Sequence, residues 1–224
     1  MKLLLTDSGV NNDSILAALV DLLGKPIAEA TALCIPTAGY GGPNGGPFGP
    51  WRFVSGNSHC PMTGLGWKSV GVLELTALPG IDKELWTSWV READVLLVNG
   101  GDALYLAHWM RESGLADLLP SLPDTVYVGF SAGSMVLTPR IGEEFVGWQP
   151  PTGGDSTLGL VDFCIFPHLD HPDCPENTTA DAERWAARIG APAYATDHRT
   201  AIKVTDGQVE IISEGHWKLF NSAP

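Results

Sequence analysis

A serine flanked by glycines stands where a buried strand is expected to pass into a helix. Residues 125–130 alternate β-branched and aromatic side chains, and residues 132–137 are small or apolar, as in a helix packed beneath a sheet. Ser131 lies between them in the pattern G-x-S-x-G, with Gly129 and Gly133 leaving space for a strained turn. The context favours a nucleophilic serine over an incidental serine in a glycine-rich connection.

Backbone N–H groups near this turn are candidates for stabilising an oxyanion. The N–H of Ala132 begins the predicted helix and points towards charge that forms on attack by Ser131. The strand that ends before Gly100 and Gly101, in V-N-G-G-D, directly precedes the serine strand. Because neighbouring parallel strands place their carboxyl ends together, one of the two glycine N–H groups is predicted to be the second donor.

A serine hydroxyl needs an adjacent base, and His168 is the best placed of the six histidines because it follows the apolar segment 163–167. His198 is a less clear case of the same placement. A third group must orient the imidazole, and the aspartates at positions 170, 173 and 197 are the candidates.

Alternating His and Asp residues at 168–173 also resemble a metal-binding cluster. His168 and His171 lack the i, i+4 spacing of helical ligands, and Pro172 interrupts any regular element. Neither a metal nor another cofactor is predicted.

The elements that must position these residues alternate between strands and helices. Short apolar runs predict strands at 2–6, 30–36, 70–75, 95–98 and 125–130, with helices at about 12–23, 82–92 and 103–112. This order indicates a parallel or mostly parallel sheet with helices on both faces, which binds ligands beyond the carboxyl ends of its strands.

The last third of the chain changes character. Further strands are predicted at 163–166, 194–196, 200–205, 209–213 and 217–220, with a helix near 180–188. Asp206-Gly207 predicts a β-hairpin. Residues 37–49 are rich in glycine and predict a loop, which either covers a substrate, contacts a dimer partner or merely connects two elements.

Composition limits the classes of partner. A net charge of −13 argues against nucleic acid and anionic membranes, whose phosphates would be repelled. Nothing resembles a linker, a signal peptide or a membrane span, so we expect one domain over residues 1–224 in a cytoplasmic protein. The four cysteines lack C-x-x-C spacing, which disfavours disulfides and zinc.

Four segments together resemble the peptidase E (aspartyl dipeptidase) family of serine peptidases. They are G-F-S-A-G-S-M at 129–135, V-N-G-G-D at 98–102, F-P-H at 166–168 and T-D-H-R-T-A-I-K-V at 196–204. The resemblance spans nearly the whole chain and implies a flavodoxin-like fold of the class I glutamine amidotransferase type. It also implies Ser131 as the nucleophile, His168 as the base, and Gly100 or Gly101 with Ala132 as the oxyanion hole.

Two positions depart from the family pattern. Where the family has its triad glutamate, this chain has His198 preceded by Asp197, so Asp197 becomes the leading candidate for the acid. Where the family has an arginine that binds the substrate's aspartyl carboxylate, this chain has Asp181, with Arg184 one helical turn later. Arg184 is therefore a candidate for substrate binding, whereas an acid at position 181 would repel an aspartyl substrate.

These observations predict a serine-type peptidase that hydrolyses a small peptide or amide through an acyl-enzyme on Ser131. The alternatives are a non-catalytic amidotransferase-like binding domain and a hydrolase of another amide, an ester or a cyanophycin-like polymer. Because the family often forms dimers, a homodimer is compatible with this interpretation.

Overall fold

The computed structural model describes residues 1–222, in which strands and helices alternate through the first 135 residues. The strands are β1 (Lys2–Thr6), β2 (Thr31–Ile35), β3 (Ser69–Val72), β4 (Val95–Val98), β5 (Val126–Phe130), β6 (Cys164–Phe166), β7 (Ala193–Thr196), β8 (Thr200–Thr205), β9 (Gln208–Ser213) and β10 (Trp217–Phe220). The α-helices are α1 (Asp13–Leu23), α2 (Phe48–Val54), α3 (Lys83–Glu92), α4 (Ala103–Glu112), α5 (Leu115–Leu118), α6 (Ala132–Met135) and α7 (Thr179–Ile189).

Seven strands form the main sheet in the order β3-β2-β4-β5-β1-β8-β9. The pairs among the first five of these strands are parallel, and β8 and β9 are antiparallel additions at one side. Thr6 of β1 pairs with Phe130 of β5, so both strands end at the same level. The residue that follows β1 and the residue that follows β5 therefore lie side by side.

Helices cover both faces of this sheet because successive apolar side chains of each central strand point to opposite faces, and both faces must be buried. Leu3 and Leu5 join the core beneath α3 and α4, whereas Leu4 joins the core beneath α1 and α2. The predicted mostly parallel α/β fold with helices on both sides is confirmed.

The C-terminal third adds a smaller, three-stranded sheet in the order β10-β7-β6, against which α7 packs through Trp185. The predicted hairpin joins β8 to β9, and both of its turn residues have positive φ, 50° at Asp206 and 78° at Gly207. Helix α7 begins with a capping box, in which the Thr178 side chain accepts from the Asp181 N–H and the Asp181 carboxylate accepts from the Thr178 N–H.

Two elements are shorter than their apolar sequences predicted. The helix after Ser131 ends at Met135, because the chain then turns and Leu158 and Leu160 donate backbone hydrogen bonds to Val136 and Leu137. Strand β3 ends at Val72, and Leu75 enters a 3₁₀ turn in which Glu74 accepts a hydrogen bond from the Thr76 N–H.

Candidate active site

Ser131 occupies a strained turn between β5 and α6. Its φ of 48° and ψ of −111° are rare for a residue with a side chain. The Ser131 N–H donates to the Thr6 carbonyl at 3.1 Å, which ties the turn to the end of β1. A Cβ at Gly129 would lie 2.6 Å from the Gly133 carbonyl oxygen, and a Cβ at Gly133 would lie 2.4 Å from the Val98 carbonyl oxygen at the end of β4. The turn therefore needs both glycines of the motif.

His168 approaches this serine from the smaller sheet. The imidazole Nε2 lies 2.9 Å from the Ser131 Oγ, within hydrogen-bonding distance. His168 follows β6 and has a φ of 57°, and the next residue, Leu169, donates its N–H to the Thr196 carbonyl at 3.0 Å. The Asn177 side chain donates to the Pro167 carbonyl at 2.9 Å on the other side of the histidine. These contacts anchor the histidine backbone on both sides.

The carboxylate that contacts His168 belongs to Asp7, the residue directly after β1. Asp7 Oδ2 lies 3.1 Å from His168 Nδ1, and Asp7 Oδ1 accepts from the His168 backbone N–H at 2.5 Å. The Ser8 hydroxyl donates to Oδ2 at 2.9 Å. The Asp7 side chain is fully buried, whereas that of His168 remains 24% exposed. Ser131, His168 and Asp7 therefore form a continuous chain of contacts with the geometry of a serine hydrolase triad.

The environment of His168 has two opposing effects on its protonation. Burial lowers the pKa of the imidazole, but the hydrogen bond and the negative charge of Asp7 together outweigh burial. The pKa of His168 is consequently raised above its ordinary value of 6.5. A base with a raised pKa takes up the serine proton more readily, and its imidazolium form is stabilised by Asp7.

Asp197, the acid expected from the sequence, does not contact His168. Its carboxylate accepts hydrogen bonds from the Thr200 hydroxyl at 2.6 Å and from the backbone N–H groups of Arg199 and His216 at 3.1 and 2.9 Å. Asp197 follows β7 rather than β1, and its side chain is directed into the turns that begin β8 and β10. Within residues 1–222, its hydrogen-bonding capacity is used to hold these turns.

The two other acids considered from the sequence also lie apart from the His168 ring. Asp170 accepts from the N–H and the hydroxyl of Thr179, each at 3.0 Å, and its Oδ2 lies 3.1 Å from His216 Nε2. The Asp173 N–H donates to His171 Nδ1 at 3.1 Å. Among the described residues, Asp7 alone forms a carboxylate contact with the His168 imidazole.

The predicted oxyanion donors lie in the turns that follow β4 and β5. In residues 1–222, the backbone N–H groups of Gly100, Gly101 and Ala132 donate no hydrogen bond to another protein group. A Cβ at Gly101, whose φ is 138°, would lie 2.2 Å from the Ala38 carbonyl oxygen, and a Cβ at Gly100 would lie 2.8 Å from the Phe130 ring. The glycine pair therefore fits a space that a side chain would fill, and its role as an oxyanion hole stays a prediction.

The Asp102 carboxylate fixes this glycine turn in place. It caps α4 by accepting from the N–H groups of Leu104 and Tyr105 at 3.0 and 2.9 Å, and it also accepts from the Trp148 N–H at 2.6 Å. The Asp102 N–H donates to the Ala38 carbonyl at 2.9 Å. The beginning of the glycine-rich segment 37–49 therefore contacts the turn formed by residues 99–102. A functional role of this segment as a cover or a dimer contact stays a prediction.

A cleft of about 400 Å³ opens beside His168. Arg184, the predicted substrate-binding residue, lines it together with Asp181, and the two side chains form an ion pair. Asp181 also accepts from Thr178, and this hydrogen bond lowers the pKa of the Asp181 carboxyl. The guanidinium of Arg184 is thus close to the candidate site but already paired with a carboxylate.

Three aromatic residues in or near the glycine-rich segment and the loop after α6 do not line this cleft. Phe53 is buried in the core, Trp51 is exposed, and Trp148 packs on Tyr105 and His108. The aromatic walls of the cleft beside His168 are instead formed by Phe145, Phe166 and Trp185.

The His171 ring lies next to that of His168, and the His198 ring lies next to that of His171. The ring centroid of His171 lies 6.2 Å from that of His168 and 5.9 Å from that of His198. Within residues 1–222, no three His, Cys, Asp or Glu side chains are arranged to hold a metal ion. His198 is exposed and joins the loop after β1 only through its carbonyl, which accepts from Asn11 at 2.5 Å.

Comparison with known families identifies the relationship of this chain. The profile of peptidase family S51 matches residues 3–212. The chain belongs to peptidase family S51. It is a serine-type peptidase resembling peptidase E, as the sequence motifs indicated. No match was found among curated proteins.

Two solved structures share the fold at low sequence identity. The first is a candidate peptidase E protein from Listeria monocytogenes EGD-e, which is 20% identical with a TM-score of 0.69, over 96% of this chain and 98% of that one. The second is a peptidase from an acI-B1 actinobacterium, which is 18% identical with a TM-score of 0.61, over 100% of this chain and 95% of that one. In the described part of this S51 chain, no helix is both long and apolar enough to cross a membrane.

Sequence reasoning missed Asp7 although a signal was present. Asp7 follows the first apolar strand directly, as Ser131 follows the fifth, and polar residues at the carboxyl ends of parallel strands are the usual site residues of this fold class. The acids predicted from the sequence all follow His168 in the chain, whereas Asp7 precedes it by 161 positions. The position of Asp7 directly after a predicted strand is the signal that identifies it.

Proposed function

We propose that this S51 peptidase hydrolyses a small peptide or amide through an acyl-enzyme on Ser131. The contact chain from Ser131 through His168 to the buried Asp7 carries the proposal. His168 Nε2 accepts the proton of the Ser131 hydroxyl while the oxygen attacks the scissile carbonyl carbon. Asp7 holds the imidazole through Nδ1, so that Nε2 faces the serine, and stabilises the positive charge that forms.

The next steps use the same groups. The carbonyl oxygen becomes an oxyanion within reach of the N–H groups of Ala132 and of Gly100 or Gly101. His168 returns its proton to the leaving amine as the carbon–nitrogen bond breaks, which leaves the acyl group on Ser131. A water molecule then gives a proton to His168, attacks the ester and releases the acid. His168 finally returns the proton to the Ser131 oxygen.

The environment of Arg184 supports a specificity other than aspartyl. An aspartyl side chain would have to compete with the Asp181 carboxylate for the Arg184 guanidinium, and Asp181 would repel it. We therefore propose that the aspartyl preference of the dipeptidase is not retained in this chain.

Labelling with a fluorophosphonate tests the catalytic assignment without knowledge of the substrate, because only an activated serine reacts quickly. The wild-type chain should be labelled at Ser131, Ser131→Ala should not be labelled, and His168→Ala should be labelled at least about a thousandfold more slowly. A dipeptide panel with the same three proteins then tests turnover. An unlabelled but folded wild-type chain would contradict the proposal and would favour a non-catalytic binding domain.

A further inference from the structure

The cleft beside His168 combines an aromatic wall with a charged rim. Phe145 and Trp185 both pack edge-on against Phe166, with ring centroids 5.3 and 5.4 Å away. The Trp185 indole is fixed because its N–H donates to the Ile141 carbonyl at 2.8 Å. Phe166 and Trp185 are buried, with 2% and 1% of their surface exposed, so the partly exposed Phe145 ring supplies most of the aromatic surface that a ligand beside His168 can reach.

Both arginines on the rim are already paired. Arg184 forms an ion pair with Asp181, and Arg188 forms one with Glu144. Each guanidinium thus has a carboxylate partner, and an anionic ligand would have to displace that partner at a cost in Coulomb energy. The cleft offers no unpaired arginine to an acidic side chain.

Glu176 is the remaining carboxylate of the lining. Within residues 1–222 it takes part in no ion pair, whereas the other two lining carboxylates are paired with the two arginines. The lining therefore carries one negative charge more than positive charge when His168 is neutral. A cation entering the cleft meets the exposed Glu176 carboxylate and the partly exposed Phe145 ring, and an aromatic ring also attracts cations.

We infer that this cleft accepts the basic side chain of the substrate residue next to the cleaved bond. The methylene stem of a lysine or arginine packs on the exposed part of the Phe145 ring, and its charged end reaches Glu176. A volume of about 400 Å³ accommodates such a side chain. This inference rests on the proposed peptidase function and names its substrate class.

Binding to the inactive Ser131→Ala protein tests the inference independently of turnover. Isothermal titration would compare Lys-Leu, norleucine-Leu and Asp-Leu, and the reversed dipeptides Leu-Lys, Leu-norleucine and Leu-Asp. Norleucine keeps most of the lysine stem without its charge. In one of the two series, the lysine peptide should bind about threefold or more tighter than the norleucine peptide and about tenfold or more tighter than the aspartyl peptide. The lysine preference should shrink as salt is raised, because salt screens partly exposed charges.

A matched pair of variants assigns the preference to the cleft. Glu176→Gln, in the Ser131→Ala background, should bring the ratio of lysine to norleucine affinity close to one. Glu183→Gln on α7 is the control, because the Glu183 carboxylate pairs with Lys218 at 2.5 Å and does not line the cleft. This control should keep the wild-type ratio.

The results separate this inference from the proposed function. Equal affinity for lysine and norleucine peptides in both series, or tighter binding of the aspartyl peptide, would overturn the basic specificity. So would a lysine preference that survives Glu176→Gln. Fluorophosphonate labelling of Ser131 in the same preparation reports on the catalytic assignment whatever the peptides show.

Discussion

Replacing Asp7 with asparagine changes one atom of the proposed triad and should nearly abolish catalysis. If the asparagine carbonyl continues to accept the His168 backbone N–H, now bonded at 2.5 Å, its NH₂ group faces His168 Nδ1. Nδ1 must then act as an acceptor, and the ring proton moves to Nε2, which faces Ser131. An Nε2 that already carries a proton cannot accept the proton of the serine.

The size of the effect follows from the loss of the base. The wrong histidine tautomer lowers the rate of a serine protease triad by about 10⁴, and we expect a loss of about 10³ to 10⁴ here. At about 1.36 kcal/mol for each tenfold change, this corresponds to about 4 to 5.5 kcal/mol of transition-state stabilisation. The Asp7 side chain is fully buried, so water cannot substitute for the missing oxygen.

The assay is the second-order rate constant for phosphonylation of Ser131 by a fluorophosphonate. Asp197→Asn is the matched control, because Asp197 is also buried and also accepts several hydrogen bonds, but contacts the β8 and β10 turns instead of His168. Circular dichroism and thermal unfolding of both variants establish that they fold. A folded Asp7→Asn protein labelled within tenfold of the wild-type rate would refute the assignment of Asp7, and a large loss in Asp197→Asn alone would restore the acid expected from the sequence.

Three further outcomes are expected. Because the pKa of His168 is raised, its imidazole stays protonated to a higher pH, and labelling should decline on acidification with a midpoint above 6.5. In Asp7→Asn, the midpoint of the residual labelling should move to lower pH. A midpoint that Asp7→Asn leaves unchanged would contradict the pairing. Asp197→Asn should lower the free energy of unfolding by about 1 to 3 kcal/mol in denaturant titrations, because its amide NH₂ would face a backbone N–H. Its labelling rate should stay within tenfold of the wild-type rate, and an unchanged free energy of unfolding would contradict the role of Asp197 in the turns. Gly129→Ala should give a protein that fails to fold or loses labelling, because its Cβ would lie 2.6 Å from the Gly133 carbonyl oxygen. Gly46→Ala is the control and should be tolerated, because a Cβ at Gly46 would meet no atom within 4 Å. A stable, fully labelled Gly129→Ala protein would contradict the predicted clash.

Local sequence patterns were sufficient to predict the strands and helices and, within the candidate site, the positions of Ser131 and His168. The alternation of apolar strands and helices is encoded within short windows, so the α/β class followed from periodicity alone. The nucleophile turn was equally local, since Gly129, Ser131 and Gly133 are within five residues and their spacing reflects one backbone conformation. The placement of His168 at a strand end could also be read locally, although its contact with Ser131 could not.

Only the tertiary structure decided which carboxylate contacts His168. Asp7 and His168 are separated by 161 positions, and they meet only because β1 pairs with β5 and the smaller sheet brings the end of β6 towards these strands. Strand order is set by packing between distant segments, which no local pattern specifies. The same holds for Asp197, whose segment matched the family's acid in sequence. Its carboxylate is nevertheless used by Thr200, Arg199 and His216, because β8 and β10 begin beside it.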